Sequence, residues 1–215
     1  MNEIFWSNVG VDVETARAAP VAITGISKAN PGVVTYGGTV DPVNGAYVVL
    51  QVEGMSQVSS RVFRVANVNS TDNTFELDGE DTSDYDTFIS GNFQVLTFGA
   101  SFRSVQEIQV SGGEPEFADL TTIHVGIRRR APVVVSPMSL VMNNLFDVAD
   151  PGFVECHKAY KARTQRAIRL RFSNGARMAF AAYASAAGVP TGQAQQVVRT
   201  NVNLEAQGLP TVYAS

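Results

Sequence analysis

The sequence has few of the residues from which catalytic and metal-binding sites are usually built. It contains one cysteine and two histidines, and 17% of its residues are charged. A single cysteine cannot form an internal disulfide or a zinc cluster, which excludes disulfide scaffolds and zinc fingers. The longest apolar stretch, residues 178–187, is too short to span a bilayer, and residues 1–3 make a poor start for a signal peptide. We therefore expect one soluble domain, or a domain plus a small module, with no cofactor, metal or membrane partner.

Charge is distributed unevenly along the chain, although the net charge is only −4. Residues 1–98 hold 4 Lys+Arg against 12 Asp+Glu, whereas residues 99–215 hold 12 against 8. An acidic half joined to a basic half indicates either two segments with different roles or a subunit that meets copies of itself with opposite charges in register.

Period-two alternation of β-branched and aromatic residues dominates the sequence and predicts many short strands. In residues 8–14 it places Val9, Val11 and Val13 on one face and Asp12 and Glu14 on the other. Many short strands separated by turns are typical of an antiparallel β-sandwich or barrel, so the predicted class is mainly β. The other predicted strands are 47–52, 61–68, 74–77, 93–102, 105–110 and 131–135.

One helix is predicted, at about 151–167. Asp150 followed by Pro151 supplies an N-cap and a proline at the first helical position. Apolar residues then recur at roughly helical spacing, and lysines and arginines fill the other face. Residues 168–184 should form a β-hairpin with Arg169 and Arg171 on one face, joined by a two-residue turn at Asn174-Gly175.

No combination of residues supports an enzyme. Cys156 and His157 are neighbours on the predicted helix and point about 100° apart, so they cannot act on one another. We expect Cys156 to be a small buried hydrophobe, His157 to be solvated and His124 to be an ordinary half-buried strand residue. The acidic segment 78–86 is expected to be a solvated loop, because its spacing does not fit a calcium-binding loop.

The densest charge on the chain is Arg128-Arg129-Arg130. Three consecutive residues of an extended segment cannot all face the same way, so they do not form a groove-reading surface for DNA. Contact with a neighbouring subunit, a solvated loop and phosphate binding all remain open, and subunit contact is favoured. A net acidic chain argues against nucleic acid as the partner.

Residues 23–88 resemble a small β-rich module of tailed-phage structural proteins, which is similar to the first catalytic-cysteine half-domain of ubiquitin-activating enzymes. The resemblance rests on ITGI followed by NPGVVT, on the turn at Val52–Met55, and on the segments RVFRVANV and TFELDG. This segment contains no cysteine, so the resemblance implies a structural module and no ubiquitin chemistry.

The rest of the chain resembles the lambda-like siphophage major tail tube proteins. The cues are FGAS at 98–101, TTIH at 121–124, residues 131–146, DVAD leading into the helix, the strand 177–183 and the segment 200–213 ending in GLPTVY. This resemblance implies a body of residues 1–20 and 93–215 with a module of residues 21–92 inserted near its N-terminus.

The resemblance also implies a function. Related proteins form hexameric rings that stack into a hollow tail, assembled in the host cytoplasm, through which DNA passes without sequence-specific binding. Copies of the chain and other tail proteins would then be the partners, with Arg128, Arg129, Arg130, Arg169 and Arg171 as candidate interface residues. A tail connector, terminator or tail-tip subunit and a host-surface-binding module are the alternatives.

Overall fold

A computed structural model describes residues 8–38, 41–122 and 126–214. It is mainly β with one α-helix, as the sequence predicted. The strands are β1 Gly10–Arg17, β2 Val21–Ile26, β3 Val33–Tyr36, β4 Tyr47–Glu53, β5 Val62–Asn69, β6 Thr74–Leu77, β7 Ser90–Ser101, β8 Val105–Ser111, β9 Pro115–Asp119, β10 Arg130–Val135, β11 Ser139–Leu145, β12 Gln165–Arg171, β13 Arg177–Ser185, β14 Arg199–Ala206 and β15 Thr211–Tyr213; the helix α1 is Pro151–Ala162 and a 3₁₀ turn covers Ser56–Val58.

The first part of the chain forms a closed six-stranded barrel. Its strand order is β2-β3-β6-β5-β4-β7, and β7 also pairs with β2, which closes the ring. Alternate residues point inward, so Val48 and Leu50 of β4 join Phe63, Phe75 and Phe93 in a fully buried core. Closure leaves the barrel without a free edge strand along its own circuit.

Beyond the barrel, the same sheet continues in the order β7-β1-β12-β13-β14-β11-β8. The N-terminal half of β7 pairs with β4 and its C-terminal half pairs with β1. A second core lies between this sheet and α1, where Phe153 and Cys156 of the helix meet Ile168 and Phe180. β1 therefore sits between β7 and β12, next to strands that follow it by more than 80 residues.

A third buried cluster joins the barrel to the sheet. Tyr47 and Val49 of β4 project outward from the barrel and pack on Ala179 and Tyr213. The C-terminal strap, residues 208–214, fastens this contact. The Thr211 hydroxyl donates to the Val62 carbonyl at 2.7 Å, and the Tyr213 hydroxyl accepts the Arg64 backbone N–H at 2.7 Å.

Three local expectations need correction. The helix ends at Ala162 and not near residue 167, because Arg163 adopts a left-handed conformation (φ 52°) and Thr164 N–H bonds back to the Ala159 carbonyl. The hairpin turn has three residues, 173–175, since Phe172 N–H donates to the Ala176 carbonyl. The acidic segment 78–86 is anchored, because Arg61 pairs with Glu80 and Arg64 with Asp78.

Candidate assembly surfaces

A two-stranded arm leaves the sheet between β8 and β11. Within the described part of the chain, its strands β9 and β10 pair with each other and with no strand of the large sheet. Gly112 (φ 77°) begins the turn into the arm, and a Cβ on it would lie 2.1 Å from the Pro137 carbonyl oxygen, so only glycine fits there. Near the arm tip, Leu120 N–H donates to the Arg129 carbonyl at 2.8 Å, which continues the pairing beyond the strands.

Large apolar side chains are exposed along this arm. Ile127 is 77% exposed, and the other exposed members are Phe117, Leu120, Val133 and Val135. Exposed apolar residues are ordinary when scattered singly, but five large ones concentrated on one projecting hairpin are typical of an interaction surface. Alternation in the sequence predicts β10 but not β9, because the proline and the three acidic or small residues of β9 conceal its alternation.

The arginine triplet lies on the same arm. Arg128 pairs with Asp119 across the hairpin at 3.5 Å, with both side chains largely exposed. Arg129 and Arg130 have no ion pair among the described residues. Hydrogen bonds from Thr121, together with the positive charge of Arg130, lower the pKa of Asp119 below its usual value. An exposed pair of this kind contributes little to the stability of the chain itself.

Arg169 and Arg171 lie elsewhere, on β12, where both bind Asp12 of β1. Arg169 Nη2 lies 2.7 Å from Asp12 Oδ2, and Arg171 donates to both carboxylate oxygens at 2.7 and 2.9 Å. The Ser101 hydroxyl of β7 adds a bond of 2.6 Å. The Arg169 guanidinium also stacks on Phe98 at 4.6 Å. These two arginines therefore bind within the chain, and their predicted place at a subunit interface remains a prediction.

Asp12 and Glu14, which the alternation places on the face of β1 opposite the valines, are buried. Burial by itself would raise the pKa of Asp12, but the hydrogen bonds from Arg171, Ser101 and Arg169 lower that pKa below its ordinary value. Glu14 lies at a bulge in the pairing of β1 with β7, where it accepts the Ala167 backbone N–H at 2.6 Å and binds Arg17. Both carboxylates therefore join distant strands.

The residues considered for catalysis occupy structural positions. Cys156 is fully buried, and burial raises the pKa of its thiol to about 12, as expected of a buried hydrophobe. His157 is half-buried and not solvated. Its Nδ1 lies 2.6 Å from the Ala186 carbonyl oxygen, and its ring stacks on Phe153. His124 lies outside the described residues.

The described part of the chain contains no group of three or more His, Cys, Asp or Glu residues that could hold a metal ion. No helix within that part is long and apolar enough to cross a membrane.

A family model for phage tail tube proteins matches residues 53–215, about three quarters of the chain. The chain belongs to the phage tail tube protein family. The comparison with curated proteins returned no match. The family match begins at the end of β4 and includes β5 to β15 and α1, whereas β1, β2 and β3 precede it.

Family membership makes this tail tube protein a structural component of the virion tail, whose partners are copies of itself and other tail proteins. It points to a protein that is not an enzyme. The narrower resemblances, to the lambda-like group and to the ubiquitin-activating half-domain, remain predictions.

Proposed function

We propose that this tail tube protein assembles into hexameric rings that stack into a hollow tube, through which the phage genome passes during ejection. The observation that carries the proposal is the arm, because no described residue of its own chain covers its exposed apolar side chains or forms an ion pair with Arg129 or Arg130. Such a surface is costly in an isolated molecule and is stabilised when a second copy covers it.

A net charge of −4 is consistent with a conduit for DNA. A predominantly acidic subunit repels phosphate groups, and basic contacts would retain the genome by releasing counterions. The three arm arginines then serve contacts between subunits. Arg169 and Arg171 would support these contacts between subunits indirectly, because they hold β12 against β1.

Purified protein followed by light scattering over a range of concentrations tests the proposal. The wild-type chain should grow into particles far larger than a monomer. Replacing Arg128, Arg129 and Arg130 by glutamate should suppress this growth, because the arm would then present six fewer units of positive charge to its partner, and replacing them by lysine should preserve it. A chain that stays monomeric at every concentration would contradict the proposal, and full growth of the glutamate variant would show that the triplet is solvated.

A connector or terminator subunit remains the alternative within the same tail. It would form single rings that do not stack, so the size of the particles separates the two functions. A tube continues to lengthen with concentration, whereas a connector stops growing at one ring.

We also propose that residues 21–92 act as a module inserted into a body of residues 1–20 and 93–215. Separate buried cores in the barrel and beneath α1 support this division, and β7, whose N-terminal half closes the barrel, crosses its boundary. Native-state hydrogen exchange should then find two groups of amides with different free energies of opening. One common value across both cores would contradict the division.

A further inference from the structure

The arm has an apolar counterpart at the opposite end of the same strands. β11 begins at Ser139, just after the arm, and ends at Leu145, just before Phe146. Its antiparallel neighbour β14 runs back, pairing Leu145 with Arg199 and Ser139 with Glu205. Six residue steps at about 3.4 Å each separate the two ends by about 20 Å. The arm therefore leaves one end of this sheet, and the second surface lies at the other.

That second surface is a groove of about 310 Å³ beside α1. Its wall includes Phe146, Val148, Phe153, Val154 and Gly188. Val148 is 66% exposed, and Val189, Val197 and Val198 on the neighbouring loop are exposed as well. Groove and loop together present apolar surface that no described residue of the same chain covers.

Two of the side chains that line the groove, Phe153 and His157, are held in place by contacts within the chain. Phe153 is buried at the start of α1, and its ring stacks on His157 at 5.9 Å between centroids. His157 is fixed in turn by its bond to the Ala186 carbonyl. A receptor surface held in this way loses little conformational freedom when a ligand side chain enters it.

Charge at the two ends is complementary. Asp147 lies between two residues of the groove wall, is exposed, and makes no ion pair with any described residue. On the arm, Arg129 and Arg130 likewise have no ion pair among the described residues. Lys158, the other charged group at the groove, is already paired with Glu155 at 2.6 Å. Glu114 and Glu116, at the base of the arm, are also exposed and have no ion pair among the described residues, so the unpaired positive charge lies at the arm tip, with Arg129 and Arg130. The unpaired charge at the groove is negative.

We propose that the arm of one copy docks in the α1 groove of the next copy along the tube, with Ile127 and its apolar neighbours in the groove and an arm arginine on Asp147. This inference rests on the proposed tube function and identifies the contact that would join successive copies along the tube. Because the two surfaces lie at opposite ends of the sheet, the contact is head-to-tail and leaves a free arm and a free groove after each addition. Such contacts propagate from ring to ring.

Cysteine cross-linking of assembled tubes tests the contact. The native thiol of Cys156 is buried, so introduced surface cysteines are the reactive ones. The double variant Ile127→Cys/Val148→Cys, treated with a short bismaleimide, should give a ladder of multimers on a denaturing gel. Each single variant should remain monomeric. The matched control Ile127→Cys/Val43→Cys, with its second cysteine on an equally exposed barrel residue, should also remain monomeric.

The outcomes are distinct. Tubes of the double variant that give no ladder would overturn the arm-to-groove contact and leave the tube function intact. Dimers from the single Ile127→Cys variant would show that arms meet one another, which also overturns the contact. A ladder from the barrel control would show that the arm docks on the barrel instead. A wild-type chain that forms no assembly would refute the proposed function itself.

Discussion

Removing the Asp12 carboxylate should destabilise the fold more than removing any exposed acidic group. Asp12 is 2% exposed, and two arginines and a serine from β12 and β7 converge on it. In Asp12→Ala, two guanidinium groups lose their counterion. Breaking a buried pair costs about 3–5 kcal/mol when the remaining charge stays dry.

Solvent exposure of the two arginines reduces the loss of stability that Asp12→Ala should cause. The Arg171 side chain is 47% exposed and can turn to water, whereas Arg169 is 20% exposed and is held over the Phe98 ring. We therefore expect the free energy of unfolding of Asp12→Ala to fall by about 2–4 kcal/mol, from the buried-pair cost reduced for the exposed partner. Urea denaturation of dilute monomer, followed by circular dichroism, measures this change.

Asp119→Ala is the matched control, since it also removes an aspartate paired with arginine, but at an exposed site. Its effect on the free energy of unfolding should be small beside that of Asp12→Ala, because exposed ion pairs contribute little to stability. Acid provides a second test. Because the pKa of Asp12 is lowered on folding, its contribution is present above the unfolded pKa of about 3.9 and is lost as the pH falls through the lower folded value. The difference in the free energy of unfolding between wild type and Asp12→Ala should therefore become smaller below about pH 4. Equal stability of Asp12→Ala and wild type at pH 7 would refute this reasoning.

Three further outcomes follow from the same structure. Cys156 should not react with a thiol reagent at pH 8 in the native protein and should react fully once the protein is unfolded; rapid native labelling would contradict its burial. Burial raises the pKa of Tyr213 to about 12. The free energy of unfolding should therefore fall as the pH rises from about 10 to 12, because the unfolded chain loses the tyrosine proton first. The variant Tyr213→Phe should show a smaller loss of stability over the same pH range. Assembly driven by opposite charges should weaken as salt rises, because exposed charges are screened beyond about 10 Å at 0.1 M; tubes indifferent to salt would indicate apolar burial and backbone pairing instead.

Local patterns predicted much of the fold. Strand β6 occupies the predicted residues 74–77, and the helix begins at Pro151 after the Asp150 cap, whose side chain accepts the N–H groups of Gly152 and Phe153. These features depend on a few neighbouring residues. The end of the helix depends on a left-handed Arg163, and no glycine marks that position in the sequence.

Long-range partners were beyond the reach of such patterns. Asp12 and Glu14 alternate with buried valines as solvent-facing residues would, yet Asp12 binds arginines 157 and 159 positions later. Closure of the barrel by β2 and β7 likewise joins distant segments. The sequence did not predict the arm as a unit, because its strands are short and no other described segment of the chain covers its apolar residues.

Electron microscopy of the purified protein would show directly whether the chain forms a tube. We expect hollow rings with six-fold symmetry that stack into tubes at high protein concentration. Single particles of monomer size at every concentration would contradict it.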